Sequence, residues 1–165
     1  MQTRSRLTAA LLGASLFLVP GPGKAADDAA ALKGISSAKI AFDVHEGDPA
    51  RLLARLDVID ETRTSLIKQG VKPQFVIAFR GPATKLVQTD VTKIKPEDQP
   101  GAEKVAAKLR EMSRAPGVEG FEQCSIAVRT QGTDEAKVLP EVRVVGNGFI
   151  SLMAYQAKGY AYIAP

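Results

Sequence analysis

The chain has one cysteine, Cys124, and one histidine, His45, among its 165 residues. A single cysteine cannot form an intramolecular disulfide, and without a Cys-x-x-Cys pair a self-contained dithiol oxidoreductase is excluded. One cysteine and one histidine do not complete a zinc site. No Gly-rich loop of the dinucleotide-binding or Walker type follows a predicted strand. The sequence therefore predicts no metal site and no cofactor.

Long apolar runs are also scarce. The longest covers residues 7–19 and is too short to span a bilayer. It follows two arginines and precedes a Pro-Gly stretch that ends in small residues up to Ala25, which is typical of a cleavable secretory signal peptide. We expect residues 1–25 to be that signal peptide, residues 26–37 to be a flexible arm, and the mature protein to be periplasmic with no membrane segment.

An excess of basic residues is missing once the signal peptide is removed. The chain has 22 Lys and Arg against 18 Asp and Glu, a formal net charge of +4. Residues 1–25 contain three of the basic residues and no acidic residue, so the mature chain has 19 against 18, or +1. A basic surface for nucleic acid is therefore not expected.

Residues 38–165 alternate between apolar runs typical of strands and patterns typical of helices. Strands are predicted at 39–45, 74–79, 118–124, 141–145 and 160–163. Helices are predicted from Pro49 to a cap at Gly70 and at 102–113, 125–131 and 149–158. One predicted side of the last helix consists of Phe149, Leu152, Met153 and Gln156. This alternation predicts one α/β domain, a three-layer α/β/α sandwich with a mainly parallel five-stranded sheet.

The third predicted strand is unusually polar. It contains Glu119, Glu122 and Gln123, whereas strands in the middle of a parallel sheet are usually continuous apolar runs. We therefore expect this strand to lie at the edge of the sheet, or to turn one face to solvent or to a partner subunit.

Four polar residues fall where predicted strands end: His45, Arg80, Cys124 and Asn147. Right-handed crossovers bring the carboxyl ends of parallel strands to one edge of the sheet, where open α/β proteins bind their ligands. The sequence predicts that these residues are neighbours along that edge, and it does not place any two of them in contact.

Cys124 is the candidate nucleophile of this group. It precedes a predicted helix, whose backbone N–H groups and dipole favour a thiolate. His45 would act as a base and Arg80 as a counter-charge if either lies nearby. Gly146-Asn147-Gly148 could bind an anion at the N-terminus of the last helix, or form a turn in which Asn147 only caps that helix, which is the interpretation we favour. The alternatives also stay open that Cys124 is a buried apolar residue and that His45 is a solvated loop residue.

These residues lie in a chain that resembles the DsrE/DsrF-like family of small sulfur-relay proteins, above all its exported branch. The resemblance is carried by Lys-Ile-Ala-Phe-Asp-Val at 39–44, Phe-Val-Ile-Ala-Phe-Arg-Gly at 75–81, Cys124, Val-Arg-Val-Val-Gly-Asn-Gly at 142–148, and Tyr-Gln-Ala-Lys-Gly-Tyr-Ala-Tyr-Ile at 155–163. It implies a three-layer fold with five strands, homo- or hetero-oligomers that are often trimers or hexamers, and a persulfide carried on Cys124.

The function that this resemblance implies is a periplasmic sulfur-handling protein that carries sulfane sulfur on Cys124. A carrier of this kind needs a sulfur donor or acceptor protein as its partner and is not a turnover enzyme. Two alternatives are a non-catalytic oligomeric binding module with Cys124 as a packing residue, and a thiol-dependent redox enzyme with an external reductant. Tyr155, Tyr160 and Tyr162 would suit either subunit contacts or the core.

Overall fold

The computed structural model describes residues 27–165, so the predicted signal peptide lies outside the described residues. The strands are β1 (Ser37–Val44), β2 (Lys72–Phe79), β3 (Val118–Cys124), β4 (Val142–Val145) and β5 (Ala161–Ile163). The helices are α1 (Pro49–Lys68), α2 (Gln99–Met112), α3 (Ser125–Gln131) and α4 (Gly148–Ala157). Short 3-10 helices lie at Gly81–Val87, Val91–Lys93, Pro96–Asp98 and Glu135–Lys137. β1 therefore begins within the segment that was predicted as a flexible arm.

The five strands form one sheet in the order β4-β3-β2-β1-β5. Every neighbouring pair is parallel. The helices cover both faces of this sheet, since alternate residues of β1 and β2 pack against different helices. The predicted three-layer α/β/α sandwich with a five-stranded sheet is confirmed.

The start of α1 follows from its local sequence. The side chain of Asp48 accepts a hydrogen bond from the Arg51 N–H at 2.8 Å, and Pro49 occupies the first helical position. The helix ends before Gly70, which adopts the left-handed backbone conformation (φ 78°) that favours glycine at this point. Both predicted ends of the helix are confirmed.

Of the two alternatives for β3, the position at the sheet edge is wrong. β3 lies between β2 and β4, and Glu122 and Gln123 are both buried. Glu122 accepts hydrogen bonds from Arg143 of β4 and, at 2.8 Å, from the Tyr155 hydroxyl of α4. Buried polar side chains are tolerated when they are hydrogen-bonded. Gln123 Oε1 accepts a hydrogen bond from Gln88 at 3.3 Å, while its Nε2 has no partner among the described residues. Internal hydrogen bonds therefore account for the buried Glu122 and for the carbonyl of Gln123.

The main core lies on the side of the sheet covered by α1 and α2. Its largest buried side chains from the sheet are Phe75, Phe79, Phe121 and Ile77, and those from the two helices are Leu52, Leu56, Ile59, Leu109 and Met112. Because this layer holds nearly all the large buried apolar side chains, it provides most of the hydrophobic stabilisation.

The opposite face of the sheet is covered thinly, by α4 alone among the described helices. Leu152 packs against Ala41 and Ala78, and Tyr155 and Tyr160 lie half-buried at the margin. The predicted apolar side of α4 is only partly correct, because Leu152 is buried while Phe149 and Met153 are exposed. The alanines let α4 lie close to the sheet, and only a narrow strip of the helix is then covered.

None of the helices within residues 27–165 is both long enough and apolar enough to cross a membrane.

Candidate functional site

The carboxyl ends of β1, β2 and β3 bring Asp43, Arg80 and Cys124 together beneath the start of α4. In the sheet register Asp43 pairs with Ala78 of β2, and Phe79 pairs with Gln123 of β3. Arg80 and Cys124 are the next residues after that last pair, so they are neighbours across two adjacent strands. The predicted meeting of Arg80 and Cys124 at one edge is therefore observed.

The side chain of Cys124 contacts the start of α4, whereas the sequence predicted that it would lie at the start of α3. It is the N-cap residue of α3, but its side chain makes no capping hydrogen bond there. Its Sγ instead accepts a hydrogen bond from the Gly148 N–H, the first residue of α4, at 3.2 Å. The side chain is only 6% exposed. Both the N–H and the positive end of the α4 dipole favour a negative charge on this sulfur.

Gly148 is the residue that makes this approach possible. A Cβ atom built at this position would lie 2.6 Å from Cδ of Arg80 and 3.1 Å from Cβ of Cys124. The backbone of α4 therefore enters a space too narrow for any side chain. Because Gly148 lies against both residues, the aliphatic part of the Arg80 side chain lies near Cys124.

Arg80 forms a buried ion pair with Asp43. Its Nε donates to Asp43 Oδ1 at 2.7 Å, and Nη2 donates to Oδ2. Burial alone raises the pKa of Asp43, but hydrogen bonds from Arg80 and Tyr162 and the Arg80 charge outweigh it, so the pKa of Asp43 is lowered. The hydrogen bond to Asp43 raises the pKa of Arg80, and negative charge at Cys124 acts in the same direction.

Asp43 also binds two side chains at the rim of the site. The Tyr162 hydroxyl of β5 donates to Oδ2 at 2.6 Å, and His45 Nε2 lies 2.8 Å from Oδ1. These groups surround an open cavity of about 290 Å³ together with Glu46 and Arg55. His45 therefore has Asp43 as its partner, and no hydrogen bond joins it to Cys124 in the described part of the chain.

Asn147 lies at the same edge and caps α4. Its Oδ1 accepts a hydrogen bond from the Phe149 N–H at 2.9 Å, which is the capping role left open above. The ring of Phe149 lies over the guanidinium group of Arg80, with 4.1 Å between Cζ and the ring centroid. The cap thus fixes a turn that covers Arg80 with an aromatic ring.

The sequence did not identify Asp43, Tyr162 or Phe149 as members of the site. Asp43 offered one signal, because a charged residue inside an apolar strand needs a buried partner. Tyr162 offered none, since its contact with Asp43 requires β5 to lie beside β1.

Within residues 27–165 no group of three or more His, Cys, Asp or Glu side chains is arranged to hold a metal ion.

No protein-family model matches this chain. Over 128 residues, 78% of the chain, it is 30% identical to an uncharacterized protein of Aquifex aeolicus (strain VF5), and it spans 56% of that relative. A solved protein of unknown function from Methanobacterium thermoautotrophicum shares the fold, with a TM-score of 0.60 at 22% identity over 78% of this chain and 99% of that one. The similarity to the solved structure supports the α/β fold and says nothing about the chemistry of the site.

Proposed function

We propose that the protein carries sulfane sulfur as a persulfide on Cys124. The observation that supports this most directly is the position of Sγ, which accepts the first N–H of α4 and lies beside the buried Arg80. A helix N-terminus and a guanidinium group both stabilise an anionic sulfur, and such an environment is typical of reactive cysteines.

The transfer requires no metal and no external oxidant. The Cys124 thiolate attacks the outer sulfur of a protonated persulfide donor, R–S–SH, and a new S–S bond forms to Sγ. The S–S bond of the donor breaks, its electron pair leaves with the donor as R–S⁻, and Cys124 is left as a persulfide. An acceptor thiolate then repeats the same exchange and restores the Cys124 thiolate.

Membership of the DsrE/DsrF-like family and export to the periplasm belong to this proposal. A carrier must hand its sulfur to another thiol, so its partners are a donor and an acceptor protein, in a homo- or hetero-oligomer. No product is released to solution in this role, and the protein is accordingly a carrier rather than a turnover enzyme.

Sulfur loading tests the proposal. The mature chain is incubated with a small-molecule persulfide, and its intact mass is compared with that of a Cys124→Ser variant, which differs by one atom. We expect a mass gain of one sulfur in the wild type, no gain in the variant, and loss of the gain on reduction. Equal gain in both proteins, or none in either, would contradict the proposal.

The alternative of a non-catalytic binding module has its own supporting observation. Cys124 is 6% exposed, while Phe149, Ile150 and Met153 present apolar side chains to solvent on α4. If the protein is a binding module, a Cys124→Ala variant should keep its assembly, and light scattering should give the same oligomeric state as for the wild type. A thiol that reacts only after unfolding would favour this alternative.

A further inference from the structure

A row of polar side chains crosses four neighbouring strands and ends at Cys124. Tyr162 lies on β5, Asp43 on β1, Arg80 directly after β2 and Cys124 on β3, in the order of the strands in the sheet. A buried ion pair adds little stability compared with well-packed apolar residues. The charged pair in the middle of this row therefore calls for an explanation in terms of the site.

The guanidinium group of Arg80 is held on three sides. Nε and Nη2 donate to Asp43, the Phe149 ring lies against the group, and its aliphatic stem packs against Gly148. Nη1 donates to no protein atom among residues 27–165. It is not one of the buried atoms without a partner, so it reaches solvent although the side chain is only 9% exposed. The N–H groups of Nη1, on an oriented cation, are thus available to an anion at this edge.

We propose that Asp43 is a positioning residue, which holds Arg80 beside Cys124 so that the guanidinium group serves as the counter-charge of the anionic sulfur. Arginine has a long flexible side chain, and without a partner its charge would turn toward water. The two parallel hydrogen bonds to Asp43 fix the plane of the guanidinium group. This inference rests on the function proposed for Cys124 and adds a role for Asp43.

The charged groups around the sulfur determine whether neutralising Asp43 should speed or slow the reaction of Cys124. Arg80 approaches Cys124 from the end of β2, and α4 contributes the Gly148 N–H. Glu122 lies two residues earlier on β3 and is paired with Arg143. As a mere negative charge, Asp43 would disfavour a thiolate, so neutralising it would speed the reaction of Cys124. As a positioning residue, its neutralisation would slow that reaction.

The experiment measures the rate of alkylation of Cys124 by iodoacetamide against pH. We expect Asp43→Asn and Arg80→Met each to slow the reaction at pH 7 by about tenfold. In the double variant we expect the rate of Arg80→Met alone, because Asp43 acts through Arg80. Arg80→Lys keeps the charge without the planar fork, and we expect it to be slow as well.

Asp60→Asn is the matched control, since it also neutralises a carboxylate bonded to a buried arginine, Arg63, which donates to Pro116 ahead of β3, whereas Cys124 ends that strand. We expect its alkylation rate to stay within about twofold of the wild type, so that a slow reaction in Asp43→Asn cannot be assigned to a general loss of stability. If Asp43→Asn does not fold, the alkylation rate of Arg80→Lys tests the inference instead.

Three results would overturn the inference: faster or unchanged alkylation in Asp43→Asn, wild-type alkylation in Arg80→Lys, or a wild-type thiol that reacts only after unfolding. Failure of sulfur loading with the expected alkylation pattern would instead refute the persulfide function and leave the positioning of Arg80 intact.

Discussion

Removing the carboxylate of Asp43 should strongly destabilise the fold. The side chains of Asp43 and Arg80 are 1% and 9% exposed, so Asp43→Ala leaves a buried guanidinium group without its counter-charge. Breaking a buried pair in this way costs about 3–5 kcal/mol. Tyr162 and His45 also lose a partner, but both are exposed enough to bond water instead, so they add little.

A loss of this size is a large share of the stability of such a domain, which is typically about 5–15 kcal/mol. With a urea m-value of about 2 kcal/mol/M, the unfolding midpoint would fall by about 2 M. Circular dichroism during urea titration measures it. Asp57→Ala provides a matched control, because Asp57 pairs with Lys108 at the surface, is 58% exposed and should cost less than about 1 kcal/mol.

A double variant separates the charge effect from packing. In Asp43→Leu combined with Arg80→Met both charges are replaced by apolar side chains, and we expect it to regain at least about 2 kcal/mol relative to Asp43→Leu alone. If Asp43→Ala lowered the free energy of unfolding by less than about 1 kcal/mol, the prediction would be contradicted. Such a result would mean that the Arg80 guanidinium group becomes hydrated again at little cost.

Three other predictions concern positions away from the sulfur. Gly117→Ala should lower the free energy of unfolding, measured in urea, by at least about 2 kcal/mol more than Gly70→Ala. Both glycines have positive φ, so both substitutions strain the backbone. A Cβ at Gly117 would also lie 2.5 Å from a carbon of Pro73 in β2, whereas no atom lies within 4 Å of a Cβ at Gly70. Burial and the hydrogen bond to Glu119 raise the pKa of Tyr160 to about 12. Ultraviolet absorbance should therefore show one tyrosine of the folded protein ionising near that pH, and earlier in Glu119→Gln. Burial raises the pKa of Asp60 less than its hydrogen bonds from Arg63 and Lys108 lower it, so its stabilisation should be present at neutral pH and be lost below about pH 4. Asp60→Asn should have a lower free energy of unfolding than the wild type at pH 7, and that free energy should change less steeply with pH in the acid range. The same steepness in both proteins would contradict this prediction.

Local elements were predictable because their signals lie within a few residues. Asp48 and Pro49 mark the start of α1, and Gly70 marks its end. The bounds predicted for the third strand, 118–124, and for the helix after it are those observed. Capping and turn chemistry act between near neighbours in the chain, so a single sequence contains them.

The partners within the site were not predictable in the same way. Tyr162 and Asp43 are 119 positions apart, and Gly148 and Cys124 are 24 apart. These contacts depend on the strand order and on how closely α4 approaches the sheet, and local sequence patterns determine neither of them. The wrong edge position for β3 has the same origin, because hydrogen bonds from β4 and α4 allow Glu122 to be buried inside the sheet.

The thin layer formed by α4 has a consequence for the exchange of backbone amide hydrogens. Opening of a segment costs less free energy when it buries few apolar groups, and α4 packs on the sheet through Leu152 and two alanines. Its amides should therefore exchange through a local opening, while those of β2 exchange only on global unfolding. The same opening withdraws the Gly148 N–H from Cys124, so solvent reaches the thiol without disturbance of the core between the sheet and α1.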